Sequence, residues 1–336
     1  MWYYSPFSEL DPPKVARWLS EDGFEPKFSL VYRLYYTWAR PWIPIPLRQR
    51  LQRAQWSRRE YRPDFIDPTM VDWVFSLDRG ASRAAELYPQ GYAYAVVLTH
   101  DVETREGLQR IASICALEER YGFRSSWNLI PRKYSVPASL RNELRARGHE
   151  VGVHGYRHDG RLFFSRQIFL RRAQRINGVL RDWNAVGFRA PMFHRHLVWM
   201  QALEILYDSS CFDYDVFAPL PGGVKSIWPF RAGRFIEIPC TLPQDHTLLV
   251  VLNQTDAGIW IRKSRWLIEH HGTIVLNTHP DYLNSPLRRR VYEELLSFLA
   301  EQPRGWHALP HELAAYWRDR WGGPVPPEIT RAGEPK

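Results

Sequence analysis

From Tyr92 onward, short runs of apolar residues alternate with stretches in which apolar side chains recur every three or four positions, the signature of strands followed by helices. Residues 93–99 (AYAVVLT) predict a first strand, and Leu108, Ile111, Ile114 and Cys115 then mark one face of a helix. Residues 124–130 (RSSWNLI) predict a second strand and 150–154 a short third, followed by Phe169, Ala173, Ile176, Leu180 and Trp183 at helical spacing. Near the end, 273–277 (TIVLN) is a continuous apolar run, as in strands buried on both faces of a parallel sheet. Ser285 then suits a helix N-cap and Pro286 the first helical turn, with Leu287, Val291, Leu295 and Phe298 supplying the inner face. No GxGxxG or GxxxxGK[ST] loop follows the first strand, so the repetition predicts a closed or nearly closed parallel barrel rather than an open doubly wound sheet.

Composition narrows the class without naming a function. The chain has 336 residues, 45% of them hydrophobic and 14% aromatic, with 15 tryptophans, which excludes a disordered chain. Cys115, Cys211 and Cys240 are widely spaced and odd in number, so neither a disulfide scaffold nor a thiolate zinc site is expected and a reducing compartment is. The N-terminus lacks a basic region followed by an apolar one, and no run approaches a membrane span; the expectation is a cytoplasmic protein. Formal net charge is +9, and its location matters more than its sum. Residues 33–62 hold eight arginines and one acid, Glu60, so all but +2 of the excess lies there. In this segment Trp and Tyr alternate with Arg, broken by Pro41, Pro44 and Pro46. It reads either as an element docking on an anionic membrane surface at the inner face, or as a basic flap packed on the main domain. Nucleic acid ranks last, because no helix-turn-helix, zinc-finger or RNA-binding signature accompanies the charge.

The polar residues of interest follow predicted strands, the edge that carries the site in parallel α/β folds. After the first strand comes Thr99-His100-Asp101-Val102-Glu103, whose two carboxylates at i and i+2 face one side of an extended chain. Their repulsion calls for a metal ion or an arginine nearby; taken alone, the run reads first as an acidic helix start. After the third strand, His154 and His158 flank a turn at Gly155, four residues apart as metal ligands often are. His149-Glu150 imitates a zincin motif but has Val153 where the second histidine belongs. After the last strand stands His279, a candidate proton carrier. Arg189 and Asp208 end intervening strands and suit supporting roles. No GxSxG elbow is present and no cysteine sits in a nucleophile's setting.

Taken in order, THDVE, HGYRH, RAP, YDSS and LNTHP resemble the five motifs of the polysaccharide deacetylase family (carbohydrate esterase family 4, the NodB homology domain), over roughly 92–318. The resemblance implies a distorted (β/α)7 barrel, here preceded by a basic, aromatic extension (1–91) and followed by a frayed, Pro- and Gly-rich tail (319–336). It also implies a divalent metal, zinc first, with cobalt, nickel, manganese or iron as alternatives. The activity implied is removal of an N-acyl group, acetyl foremost, from an amino sugar of a bacterial polysaccharide or lipid-linked glycan. By position, His154 and His158 resemble metal ligands, Asp101 the general base and His279 the general acid. Arg189 resembles the arginine that steadies the base, and Asp208 the aspartate that tunes the acid. The family's first motif has adjacent aspartates, whereas Val102 occupies the ligand position here. Glu103 is the nearest carboxylate and takes that role, with the swap, Asp101 as ligand, left open. A deformylase, a cyclic-ureide hydrolase and a degenerate carbohydrate-binding barrel are the rival readings.

Overall fold

The computed structural model describes residues 3–5, 29–56, 59–67, 86–218 and 223–321. The tail expected to fray lies largely outside the described residues, as do Arg58 and the stretch 68–85. The first central strand is β2 (Tyr94–Val102), whose nine residues are all buried. It is flanked in parallel by β3 (Ser125–Leu129) and β9 (Thr273–Thr278). Beyond β3 follow β4 (Glu150–His154), β5 (Gly187–Arg189), β6 (Tyr207–Asp208) and β8 (Phe235–Glu237), again parallel. Short antiparallel edges come from β1 (Tyr3–Tyr4) and β7 (Phe230–Ala232), and β10 (Gly305–His307) pairs with the start of β2. Continuous burial of β2, β3, β4 and β9 reflects cover on both faces, which is why β9 and the first half of β2 read as apolar runs.

The ring closes through irregular chain rather than a strand. Cys240 N donates to Cys211 O at 2.8 Å, and Thr241 N and Leu242 N both donate to Val275 O at 3.1 Å. Residues 240–242 therefore bridge the β6–β8 side to β9. The result is a curled, mixed sheet, in agreement with the distorted barrel expected.

Helices cover the outside. The helix Arg105–Arg120 is capped by Thr104, Arg166–Trp183 by Ser165 and Pro286–Ala300 by Ser285, each side chain accepting a backbone N–H three residues on. Phe169, Ala173, Ile176, Leu180 and Trp183 are all buried. Leu287 departs from expectation: it is exposed, and Tyr292 and Leu299 are buried beside Val291 and Leu295. Strand β2 also runs three residues past its expected end, because its pairing with β3 continues to Val102. Cys115, Cys211 and Cys240 are free and buried.

The described part of the basic extension folds as α1 (Leu30–Leu34), a wide turn at Tyr35–Ala39, a tight one at Arg40–Trp42, and α2 (Ile45–Trp56). It is tied down onto the barrel. Arg161 Nη2 donates to Thr37 O at 3.0 Å, Arg53 Nε to Val250 O at 2.5 Å, and the Tyr32 hydroxyl bonds His194 Nε2. Among the described residues, no helix is long and apolar enough to cross a membrane.

Candidate metal centre and active site

Side chains alternate along β2, so His100 goes to one face while Asp101 goes to the other. His100 is fixed behind the sheet, 2.7 Å from Thr278 Oγ1 and 2.6 Å from Glu118 Oε1, stacked on Trp127. Asp101 meets two amides instead: Asn128 Nδ2 donates to one oxygen at 2.9 Å and Asn277 Nδ2 to the other at 3.0 Å. The register sets Asn128 directly opposite Asp101. Burial would raise this carboxyl's pKa, but His154, Arg189 and His279 with Asn128 hold it below the usual range. Gly152 keeps the neighbouring strand close, since a Cβ there would lie 2.2 Å from Asn128 Oδ1.

Glu103 lies just past the strand. Its amide donates to Asp281 Oδ2 at 3.0 Å, and the Thr104 hydroxyl bonds the other Asp281 oxygen, which ties this loop to the one after β9. Across the mouth, His154 ends β4, and Gly155, at φ +61°, turns the chain where a Cβ would strike Pro191 at 2.4 Å. His158 is held at φ 53°, a left-handed conformation that costs roughly 1–3 kcal/mol and is often found at functional sites.

Ligand atoms of Glu103, His154 and His158 all lie within 4.8 Å of one another. These residues fit a divalent cation. Both ring nitrogens of His158 are buried and neither makes a hydrogen bond, although Nε2 is 2.9 Å from Glu103 Oε1. His154 Nδ1 is 3.1 Å from Arg189 O; a carbonyl only accepts, so Nδ1 carries the proton and Nε2 is left with a free lone pair. Burial lowers the His154 pKa to about 4, against the pull of Asp101, which keeps the imidazole neutral. Burial would raise Glu103, yet His158 and His279 bring it well below the usual carboxylate range. One carboxylate and two imidazoles are a common donor set for catalytic zinc and its neighbours.

His279, after β9, faces the same space. Asp245 clamps it twice, accepting from the backbone amide at 2.6 Å and lying 2.7 Å from Nδ1. Nε2 is left 3.9 Å from Glu103 Oε1. Burial would depress this imidazole, but the Asp245 charge and hydrogen bond, with Glu103, raise it to about 9, so the ring is protonated at neutral pH.

Two expected roles change. Asp208 does not meet His279: its oxygens accept from the amide and hydroxyl of Ser210 at 3.1 and 2.6 Å, beside Glu237. The aspartate that grips His279 is Asp245, in the irregular chain that closes the barrel. Arg189 makes no hydrogen bond to Asp101; it donates to Cys240 Sγ at 3.0 Å, Thr99 Oγ1 at 2.9 Å and Ser209 Oγ at 3.1 Å. Only its charge reaches Asp101.

Asp101, Glu103, His154, His158 and His279 line one cavity of about 430 Å³. Tyr35, Tyr36, Arg40, Arg48 and Gln52 of the extension form another wall. Asp245, Asn128, Asn277 and this wall escaped sequence reasoning. Asn277 and Asn128 stood inside quoted strands, where alternation marks them as inward-facing; Asp245 had no periodic context at all.

No family model and no curated protein matches the sequence. Among solved structures, the chain is similar to a putative polysaccharide deacetylase from Mycobacterium smegmatis, at 17% identity and a TM-score of 0.55, over 74% of this chain and 96% of that one. A probable polysaccharide deacetylase from Pseudomonas aeruginosa PAO1 matches at 15% identity and a TM-score of 0.52, over 69% and 93%. Puue allantoinase matches at 12% and 0.50, over 69% and 93%. Similarity at these identities is one of fold: the chain has the fold of the polysaccharide deacetylases.

Proposed function

We propose that the protein is a metal-dependent hydrolase that removes an N-acyl group from an amino sugar. The observation that carries this reading is the meeting of Glu103, His154 and His158 within 4.8 Å, in a cavity that also holds Asp101 and His279. An amide resists hydrolysis because its carbonyl is a poor electrophile and its nitrogen a poor leaving group. A divalent ion held by Glu103, His154 and His158 would supply an acidified water and polarise the acyl oxygen. Asp101, kept ionised by two amides and nearby cations, takes a proton as water attacks the acyl carbon. His279, protonated through Asp245, gives a proton to the amide nitrogen as the carbon–nitrogen bond breaks. The products are a short carboxylic acid and a free amine.

The division of labour rests on contacts. Asp101 already has an amide on each oxygen, whereas Glu103 Oε1 stands 2.9 Å from the unbonded His158 Nε2. These contacts support Glu103 as the ligand and Asp101 as the base.

The test uses protein stripped with a chelator and reloaded in turn with zinc, cobalt, nickel, manganese or iron. Amine release is followed on N-acetylated and N-formylated amino-sugar glycans and on a cyclic ureide. The expected result is release from an acylated amino sugar that disappears on stripping and returns on reloading, with a metal-dependent rise in Tm. Full activity in metal-free protein contradicts the reading, and a fully metallated protein inert on every amide makes it a binding barrel.

A further inference from the structure

The extension is amphipathic the wrong way round. A surface helix ordinarily buries its apolar stripe and shows water its polar one. Here a polar face turns in: Tyr35, Tyr36, Arg40, Arg48 and Gln52 line the cavity, and Arg53 is bonded to the barrel at Val250. The apolar ones face out. Leu30, Leu34, Trp38 and Trp42 recur every four residues and are 72, 49, 70 and 86% exposed, continued by Leu47 and Leu51 on α2. Among the described residues, only Val186, Val198 and Leu287 are exposed large apolar side chains outside this segment.

Such a concentrated patch marks a surface that something apolar covers, and its charge says what. Between Leu30 and Trp56 there are five arginines and no acidic residue. Arg33 and Arg50 are exposed among the leucines and tryptophans. Tryptophan belongs at a lipid–water boundary, and arginine is drawn to anionic headgroups. The proline breaks keep the pieces short, so the segment lies on a surface instead of spanning one.

We propose that the Leu30–Leu51 face docks the protein on an anionic lipid bilayer, bringing the cavity to an amino sugar carried at the membrane surface. The docking half stands on the exposed face; the substrate half rests on the hydrolase reading above. One segment does both jobs, because the same turns that expose Trp38 and Trp42 present Tyr36 and Arg40 to the cavity. Arg40, Arg48 and Lys133 all line that cavity, and Arg48 Nε is buried there without a hydrogen-bond partner among the described residues. A headgroup phosphate beside the sugar meets cations there.

The full chain is sedimented with vesicles of phosphatidylcholine alone or with phosphatidylglycerol added, at low and high salt. Expected are binding to the anionic vesicles only, release by salt, and a drop of at least about 10-fold in partitioning for the double variant Trp38→Ser, Trp42→Ser. That variant should keep its rate on a soluble substrate, since neither tryptophan lines the cavity. His154→Ala should sediment like wild type, which separates docking from catalysis. Equal binding to neutral vesicles, no binding to either, or a dimer that hides the face and ignores lipid overturns the docking. Docking that survives while no acylated amino sugar is hydrolysed overturns the hydrolase reading alone.

Discussion

Asp101 with Glu103 at the barrel mouth, and Asp208 with Glu237 on the neighbouring β6 and β8, are both close pairs of acids in the same barrel, yet their surroundings drive them apart. The first pair faces His154, His158, His279 and the charge of Arg189, and both carboxyls sit below the usual range. The second pair is met by the Ser210 and Cys211 amides and the Ser210 hydroxyl. Burial and the Glu237 charge push Asp208 well above its ordinary value, with Arg189 only partly opposing. A buried carboxylate becomes useful for metal binding or proton transfer when cations and donors keep it charged. A buried one whose neighbouring acid outweighs its donors is pushed toward the neutral form, wherever its sequence motif places it.

The largest effect should come from the imidazoles that serve the first pair. His154→Ala and His158→Ala should lose bound metal and bring amide hydrolysis to background, as seen by elemental analysis and amine release, while Asp208→Asn keeps both. Next come the proposed proton carriers: Asp101→Asn and His279→Ala should each cost about 10² to 10⁴ in rate. Asp245→Asn should act through His279. It removes the charge that raises the imidazole to about 9, so the alkaline limb of the pH–rate profile should move to lower pH. An unmoved limb would detach Asp245 from the acid.

Asn128→Ala tests the cradle of Asp101 and should lower the rate about 10- to 100-fold without loss of metal, in line with outer partners elsewhere. The smallest effect belongs to the second pair. A carboxyl whose pKa is raised on folding stabilises fully below its unfolded value of about 3.9 and loses that stabilisation as pH rises toward the folded value. Asp208→Asn removes this dependence. Its Tm relative to wild type should therefore improve between pH 5 and pH 8, with activity nearly unchanged; a relative Tm that stays flat over that range would mean Asp208 is ionised.

The contrast also explains what could be read in the chain. The strand Thr273–Thr278 was legible because burial on both faces leaves an apolar run, whereas Glu150–His154 offered only a short Val-Gly-Val core between polar ends. His154, His158 and His279 stood out because they lie at or just past the ends of strands. Asp245 did not, because it opens a wide helical turn, His246–Val251, after the non-repetitive stretch that closes the ring. Asp208 was given the role of Asp245 from motif order alone, which records succession along the chain and not which loops meet. The outward apolar face of the extension was half legible: composition showed Trp beside Arg, but which side faced the barrel depended on tertiary bonds such as Tyr32 to His194.

The central claim is that Glu103, displaced one position past Val102, completes the metal site while Asp101 remains free as the base. Metal content of purified Glu103→Gln and Asp101→Asn, measured side by side at matched folding, tests it most directly. The account predicts that Glu103→Gln loses its metal and Asp101→Asn retains about one equivalent per chain. A metal-free Asp101→Asn beside a fully loaded Glu103→Gln would contradict it and exchange the two roles.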